Sequence, residues 1–418
     1  MCEIWTMLTG TNLQYANNYN IRIVLETIRL QGPLSRIQIA RRTNLTAQTV
    51  TNIVKKLLSA SMIYESDRLN DGRGAPSIML QINEDAAYSI GLDFDKDHLT
   101  GVLVNFLGKP RQRITMELDF PSPDEVMELM AEMAERLISM EKINREKIWG
   151  VGVCFPGPMV VSDDSVHTNA VNPQFLPGWE KVPVVKILEE KISLPVYLEN
   201  NASAAAIGER WYGEGRYVGT FFYIFFGAGL GGGLIINGQL YPGYSGNAGE
   251  LGYLPTTNIT DSNPEMGHPH LGMYFSLPLL YKKLQDAGYQ ARNTDDLTEL
   301  YRQKNPMLID WLDTGCNQLA ILFLAIEYLI DPEVIFFGGR LPDEILNSVL
   351  TRLNKILPTM RLEKKLTFPD MRRASAGLDA AALGVAILPL YASFAPVPKV
   401  LMKKNVNEEQ TQSARSIF

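Results

Sequence analysis

The chain has 418 residues, of which 46% are hydrophobic and 20% are charged, and its net charge is −7. This composition is typical of an ordinary soluble globular protein of two or three domains. The sequence contains no apolar run long enough to cross a bilayer and no basic-then-apolar N-terminus, so we expect a cytoplasmic protein without a membrane span or signal peptide.

The three cysteines, Cys2, Cys154 and Cys316, are far apart and form no Cys-x-x-Cys pair. This spacing indicates a reducing compartment and argues against a disulfide framework or a cysteine-rich zinc site. We therefore expect neither a metal nor a cofactor.

The charge is unevenly distributed along the chain. Residues 1–83 carry nine lysines and arginines and five acidic residues, a net charge of +4, so the remaining residues carry −11. A basic head on an acidic body indicates two functions, the first of them involving nucleic acid.

Three short helices are predicted in the basic head. The first covers about residues 20–30 and ends before Gly32-Pro33, and Ser35 with Gln38 forms a capping box that starts the second. The third runs from Ala47 to about Ala60. Its apolar residues recur on one face, at Val50, Ile53, Val54, Leu57 and Leu58. This is a helix-turn-helix arrangement.

The polar face of the third helix suits a DNA major groove, because Gln and Asn bond adenine bidentately and Lys reaches phosphate. The residues predicted to bind double-stranded operator DNA are Gln48, Thr49, Asn52, Lys55, Lys56, Ser35 and Arg73.

The segment 64–83 reads as a strand, an Asp-Gly turn and a strand, which predicts a β-wing. Arg73 lies between Gly72 and Gly74 at the tip, where glycines allow the close backbone approach that a minor groove requires. An alternative is a three-helix module that binds protein or nothing, with charges that are only solvated. The wing and the charge asymmetry together favour DNA.

Strands and helices alternate from Tyr88 onward, which predicts an α/β body in two lobes. Strands are predicted within 87–109, 148–159, 194–201, 221–241 and 331–341. The glycine run 227–233 has the backbone N–H groups to hold a phosphate, but glycine turns are common and this one has no P-loop lysine.

The order of these segments resembles the ROK proteins, which are sugar kinases and sugar-responsive repressors on a two-lobed, actin-like (ribonuclease H-like) fold. The resemblance covers nearly all of residues 14–395. It rests on the winged head and on GVGVCFPGPM, FLPGWEKVP, LENNASAAAIGERWYG, the run FGAGLGGGLIINGQLYPGYSGNAGELG, IDPEVIFFGG and GLDAAALGVAILP. The repressor branch of the family carries such a winged head.

The resemblance implies that the kinases' general base has been replaced. Their strand-end motif is Glu-Asn-Asp-Ala, in which the Asp takes a proton from the sugar hydroxyl. Here the motif is Glu199-Asn200-Asn201-Ala202. An amide accepts no proton near neutral pH, although it still hydrogen-bonds a polyol. The catalytic position is therefore occupied by Asn201, and we expect no enzyme activity.

Two phosphate loops of the family are also altered. The kinases' Asp-x-Gly-Gly-Thr corresponds to residues 93–97, where both glycines and the threonine are missing and two carboxylates are added. The usual Gly-Thr-Gly is Gly227-Ala228-Gly229, without the hydroxyl. Together these changes make a working kinase improbable.

The resemblance implies a partly preserved sugar site, which we place at Asn200, Asn201, Glu250, Tyr253 and Asn172. The zinc-ligating histidine that normally follows this glutamate segment is Tyr253 here, and the cysteine loop of the family is absent. His268 and His270 alone are a weak metal pair, so no structural zinc is expected.

We predict a winged head at 14–83, a first lobe at 84–200 to which helix 380–395 returns, a second lobe at 201–379, and a flexible tail at 396–418. The favoured function is a sugar-responsive repressor acting as a homodimer or dimer of dimers on operator DNA, with a small sugar effector and no membrane. The alternatives are an atypical sugar kinase and a repressor controlled by a protein partner.

Overall fold

A computed structural model describes residues 13–69, 77–118, 121–161, 168–173, 178–256, 269–362 and 367–395. The predicted DNA-binding residue Arg73 lies outside these residues, as do His268 and the tail 396–418.

The N-terminal part is a winged helix-turn-helix. Its elements are α1 (Leu13–Gln31), β1 (Leu34–Ser35), α2 (Arg36–Thr43), α3 (Ala47–Ser59), β2 (Ile63–Leu69) and β3 (Ser77–Ile82), with strand order β1-β3-β2. The predicted capping box is confirmed, because Ser35 Oγ accepts from Gln38 N while Gln38 Oε1 accepts from Ser35 N. The predicted apolar face of α3 is buried at Val50, Ile53, Val54 and Leu57.

The first lobe is built on a five-stranded mixed sheet in the order β10-β7-β4-β5-β6. The strands β4, β5 and β6 form an antiparallel meander, and β7 and β10 add parallel to β4. Its elements are β4 (Tyr88–Asp95), β5 (His98–Asn105), β6 (Pro110–Glu117), α4 (Pro123–Glu141), β7 (Ile148–Phe155), β8 (Met159–Val161), β9 (Thr168–Val171), α5 (Val184–Ile192) and β10 (Val196–Asn200).

The second lobe repeats this plan in the order β13-β12-β11-β14-β15, again an antiparallel meander with two parallel strands added. Its elements are α6 (Asn201–Tyr212), β11 (Phe221–Phe226), β12 (Leu230–Ile236), β13 (Gln239–Leu240), α7 (Leu271–Tyr274), α8 (Leu277–Asp286), α9 (Thr294–Arg302), α10 (Pro306–Leu329), β14 (Val334–Gly339), α11 (Asp343–Met360) and β15 (Asp370–Arg373).

Among the described residues, α10 alone is long and apolar enough to span a membrane by length and composition, and 50% of its most apolar stretch is buried in the protein. Its Glu327 side chain is fully buried and pairs with Arg361 at 2.9 Å. An amphipathic core helix gives the same pattern.

Two helices lie between the lobes. The last helix, α12 (Ala380–Phe394), packs on β4, β5 and β7 of the first lobe and along α6, while α6 packs on β11 and β12 of the second lobe. The contact between the two helices is backbone to backbone, because a Cβ at Gly208 or Gly384 would collide with a carbonyl oxygen of the facing helix. The predicted sugar-binding residues Asn200 and Asn201 lie at the N-terminal end of α6, where β10 ends.

Candidate functional site

Two of the residues predicted to bind sugar are joined by a hydrogen bond. Asn200 ends β10 and caps α6, because its Oδ1 accepts from Ala202 N (2.8 Å). Its Nδ2 donates to Glu250 Oε1 (3.1 Å). The cap fixes which way the amide points, and the amide in turn orients the carboxyl of Glu250, a residue of the other lobe.

Gly157, which was not predicted as a site residue, makes this pair possible. A Cβ at Gly157 would collide with the Glu250 carboxyl and would lie 2.6 Å from Asn200 Nδ2. Any other residue at this position would therefore displace the pair. The motif GVGVCFPGPM contains the glycine, but only the tertiary contact explains it.

Asn201 is the first residue of α6 and is 5% exposed. Its Nδ2 donates to the carbonyl oxygen of Phe94 in the first lobe (2.9 Å). Its Oδ1 is buried and has no hydrogen-bond partner among the described residues. A buried acceptor without a partner is costly, and a ligand hydroxyl would satisfy it.

Two half-buried glutamates contact Asn200. Burial raises the pKa of Glu250 to about 7. Burial also raises the pKa of Glu199 to about 7, although the hydrogen bond that Glu199 Oε1 accepts from Asn200 N (2.9 Å) acts to lower it. Near neutral pH each carboxyl is thus partly protonated. Such a group either donates to or accepts from a hydroxyl.

Asn247 joins the Glu250 loop to the first lobe, a role that the sequence analysis missed. Its Oδ1 accepts from Met159 N (2.7 Å) and its Nδ2 donates to Met159 O (2.9 Å). The backbone N–H of Asn172 donates to Pro158 O (3.0 Å), which places Asn172 beside the turn that precedes Met159.

Tyr253 lies in the turn after Glu250, with its ring 5.9 Å from that of His270. His270 Nδ1 lies 2.7 Å from Gly252 O. These contacts make the pair a packed part of the loop. The described part of the chain contains no group of three His, Cys, Asp or Glu residues placed to hold a metal.

The two altered phosphate loops contact each other directly. Asp95 is 2% exposed, and its Oδ2 accepts from the backbone N–H of Ala228 in the second lobe (3.2 Å). Burial, with Asp97 nearby, raises the pKa of Asp95. The Asp95 side chain thus accepts a hydrogen bond from a backbone N–H that would otherwise be available to an anionic ligand.

A buried histidine organises the rest of this junction. His98 Nδ1 lies 2.7 Å from Asp97 Oδ1 and its Nε2 lies 3.4 Å from Asp93 Oδ2. Burial acts to lower the pKa of His98, but the hydrogen bonds to Asp93 and Asp97 outweigh it and raise the pKa to about 9. From the second lobe, Arg340 Nε reaches Asp97 Oδ2 at 3.8 Å.

The predicted DNA-binding side chains of α3 lie on one outward face. Gln48, Asn52, Lys55 and Lys56 are exposed, and Gln48 Nε2 donates to Asn52 Oδ1 (3.2 Å). The half-buried Thr49 pairs its hydroxyl with that of Thr46 (2.8 Å).

Ser35 stands apart from this face. It is 7% exposed and its hydroxyl is used in the cap of α2. Its position therefore supports a structural role better than the predicted contact with DNA.

The chain matches two families, the ROK family over residues 89–391 and the MarR family over residues 23–74. It is 28% identical over 352 residues to the xylose repressor of Bacillus subtilis (strain 168), covering 84% of this chain and 87% of that protein. It is 29% identical over 343 residues to the xylose repressor of Caldicellulosiruptor bescii, covering 77% of this chain and 83% of that protein.

Solved structures share its fold. A ROK family transcriptional regulator, described as a homolog of the E. coli MLC protein, superposes with a TM-score of 0.73 at 19% identity, over 93% of this chain and 99% of that one. The ROK hexokinase from Thermus thermophilus superposes with a TM-score of 0.55 at 25% identity, over 73% of this chain and 98% of that one. With the ROK match spanning both lobes and α12, the chain belongs to the ROK family.

Proposed function

We propose that the chain is a sugar-responsive DNA-binding repressor. The winged head supplies the face of Gln48, Asn52 and Lys56 to operator DNA, and the cleft between the lobes binds the sugar. Two heads in a homodimer read the two halves of a palindromic operator. The whole protein works in the cytoplasm, where its operator is.

The observation that carries the proposal is the amide at position 201. Asn201 has no proton-accepting charge, and its Nδ2 is already committed to Phe94 O. Its buried Oδ1 accepts a hydroxyl hydrogen without reacting. The cleft therefore recognises a polyol and does not activate it, so the body is a sensor and not an enzyme.

Nucleotide is not part of this function. Asp95 accepts a hydrogen bond from the Ala228 N–H, and His98 lies between Asp93 and Asp97. A triphosphate entering here would displace a buried carboxylate and meet two others, which is unfavourable at close range.

The effector belongs to the neutral sugars. Asn200, Asn201 and a half-protonated Glu250 form a set of uncharged or nearly uncharged hydrogen-bonding groups, which suits hydroxyls. Two similar relatives are named xylose repressors, so D-xylose is the first effector to test.

The proposal is tested by fluorescence anisotropy on the DNA upstream of the protein's own gene. Salt is held fixed, since phosphate contacts make affinity salt-dependent. We expect tight binding that one sugar weakens about tenfold or more and that Mg-ATP leaves unchanged. D-glucose and sugar phosphates serve as controls.

Each other outcome contradicts a part of the proposal. Absence of specific DNA binding contradicts the regulator. Binding that no sugar alters indicates control by a protein partner. Transfer of phosphate from Mg-ATP to the sugar indicates an atypical kinase.

A further inference from the structure

The head is docked on the end of α12. Arg22 of α1 donates through Nη1 to the carbonyl oxygens of Ala392 and Ala395, each at 3.0 Å. The last carbonyls of a helix have no partners within the helix and carry partial negative charge, so a cation is stabilising there. Burial lowers the pKa of Arg22 to about 10, which leaves it charged at neutral pH.

A second arginine of the head rests on α6. The Arg29 guanidinium is held by both carboxylate oxygens of Glu26, at 2.6 and 2.7 Å. It lies 4.6 Å from the ring centre of Trp211 and 5.6 Å from that of Phe394. Both distances are within the range of cation–π attraction.

The two helices that receive these arginines form one unit. Gly208 and Gly384 allow their backbones to touch, and Trp211 meets Tyr391 edge to face at 6.2 Å. Close packing of this kind makes relative sliding costly, because there is no free volume to absorb it.

This unit reaches from the cleft to the head. Asn201 is the first residue of α6 and Trp211 is in its last turn, and the helix has 12 residues. At about 1.5 Å per residue the two ends are roughly 15 Å apart. The core of the head is also continuous with α12, since Ile21 and Leu25 share a cluster with Leu390.

We propose that α6 and α12 move together as a rigid rod, and that this movement transmits sugar binding to the DNA-binding head. Arg22, Arg29 and Trp211 are the positioning residues through which the rod sets the orientation of the head. The inference rests on the proposed function and adds the route of its regulation. A sugar that binds more tightly when α6 is in one of two positions shifts the population towards the head orientation that goes with that position. The difference between the two binding free energies sets the size of the shift.

The test separates sugar binding from its effect on DNA. Two variants, Trp211→Leu and Arg29→Met, remove the contact from its two sides. The matched control is Arg216→Met, because Arg216 lies 4.7 Å from the ring centre of exposed Tyr217, an arginine–aromatic contact within the body. Calorimetry measures the affinity for D-xylose, and anisotropy measures operator affinity with and without D-xylose.

We expect both variants to bind D-xylose within about twofold of wild type while the sugar's effect on operator affinity falls from about tenfold to near one. Arg216→Met keeps the full effect. The milder Trp211→Phe, which keeps an aromatic face for Arg29, retains part of the effect and covers the case in which Trp211→Leu does not fold.

If the variants respond to D-xylose as wild type does, the result contradicts the inference about the rod but not the proposed function. Variants that lose D-xylose binding together with the response also contradict it, because the contact then belongs to the sugar site. A wild-type protein whose operator binding no sugar alters contradicts the proposed function, and the inference with it.

Discussion

At the scale of the residue, Asn201 starts α6 and joins it to the end of β4 through Phe94 O, while its buried Oδ1 has no partner in the described part of the chain. An aspartate here would turn a carboxylate oxygen towards the Phe94 carbonyl oxygen, so two acceptors would face each other. The amide is therefore suited both to the fold and to hydroxyl recognition.

We predict that Asn201→Asp lowers the free energy of unfolding by about 1–3 kcal/mol at pH 8, because a buried donor becomes an unpaired acceptor. The loss is smaller at pH 5, since burial raises the pKa of the new carboxyl and the protonated form again donates to Phe94 O. Denaturant unfolding at the two pH values measures both effects.

The control for this substitution is Asn317→Asp. Asn317 is exposed and donates through Nδ2 to Asp313 O (3.0 Å), so the same chemical change is made in water. Equal losses in the two variants would mean that burial at position 201 has no bearing on stability.

At the scale of the element, α3 separates its two faces strictly. The face of Val50, Ile53 and Leu57 is in the core of the head, and Gln48 and Asn52 are paired on the opposite face. The mutual hydrogen bond holds the two amides in a defined orientation before DNA arrives. Lys55 and Lys56 extend this face along the helix.

We predict different effects from Asn52→Ala and Lys56→Ala. Asn52→Ala loses about 1–3 kcal/mol of discrimination between the operator and single-base variants of it. Lys56→Ala weakens all DNA similarly and reduces the salt slope by about one, because a phosphate contact is lost. Anisotropy titrations at several salt concentrations distinguish the two.

Lys282→Ala, an exposed lysine of the second lobe, is the control for loss of charge. If it weakened DNA binding as much as Lys56→Ala, the electrostatic contact would not be specific to α3.

At the scale of the whole molecule, the lobes are joined across the cleft by polar contacts of the chain itself. Asp95 accepts from Ala228 N, Asn201 donates to Phe94 O, and Arg340 faces Asp97. His98 lies beside these contacts, against Asp97 and Asp93. Groups of the chain itself thus hold the two lobes together here.

We predict that the stability of the wild-type protein falls as pH rises towards 9. The pKa of His98 is raised from 6.5 to about 9 in the folded state, so the stabilisation is complete below pH 6.5 and is lost as pH rises through 9. The size of this loss is roughly 1–3 kcal/mol. Calorimetric Tm values at pH 8 and 9.5 measure the part of this loss that lies above the titration of Glu199 and Glu250, whose pKa values are about 7.

His98→Gln should lower Tm at pH 6.5 and remove most of this pH dependence. Arg340→Gln should also lower Tm, but it keeps the pH dependence because His98 and its two aspartates remain. The same pH dependence in His98→Gln as in wild type would assign it to another group.

Local rules were sufficient for much of the fold. The Ser35–Gln38 capping box, the apolar face of α3, the hairpin of β4 and β5 and the alternation of strands and helices all depend on residues close together in the chain. Asn201 stood out because a short motif differs from the family at one position.

Contacts between distant segments were decided only by the tertiary structure. Gly157 is needed because Glu250 and Asn200 face it, Asn247 closes on Met159, and Arg22 caps a helix about 370 residues away. A sequence thus determines periodicity, caps and motifs, whereas the atoms that face a given side chain depend on how the finished elements pack.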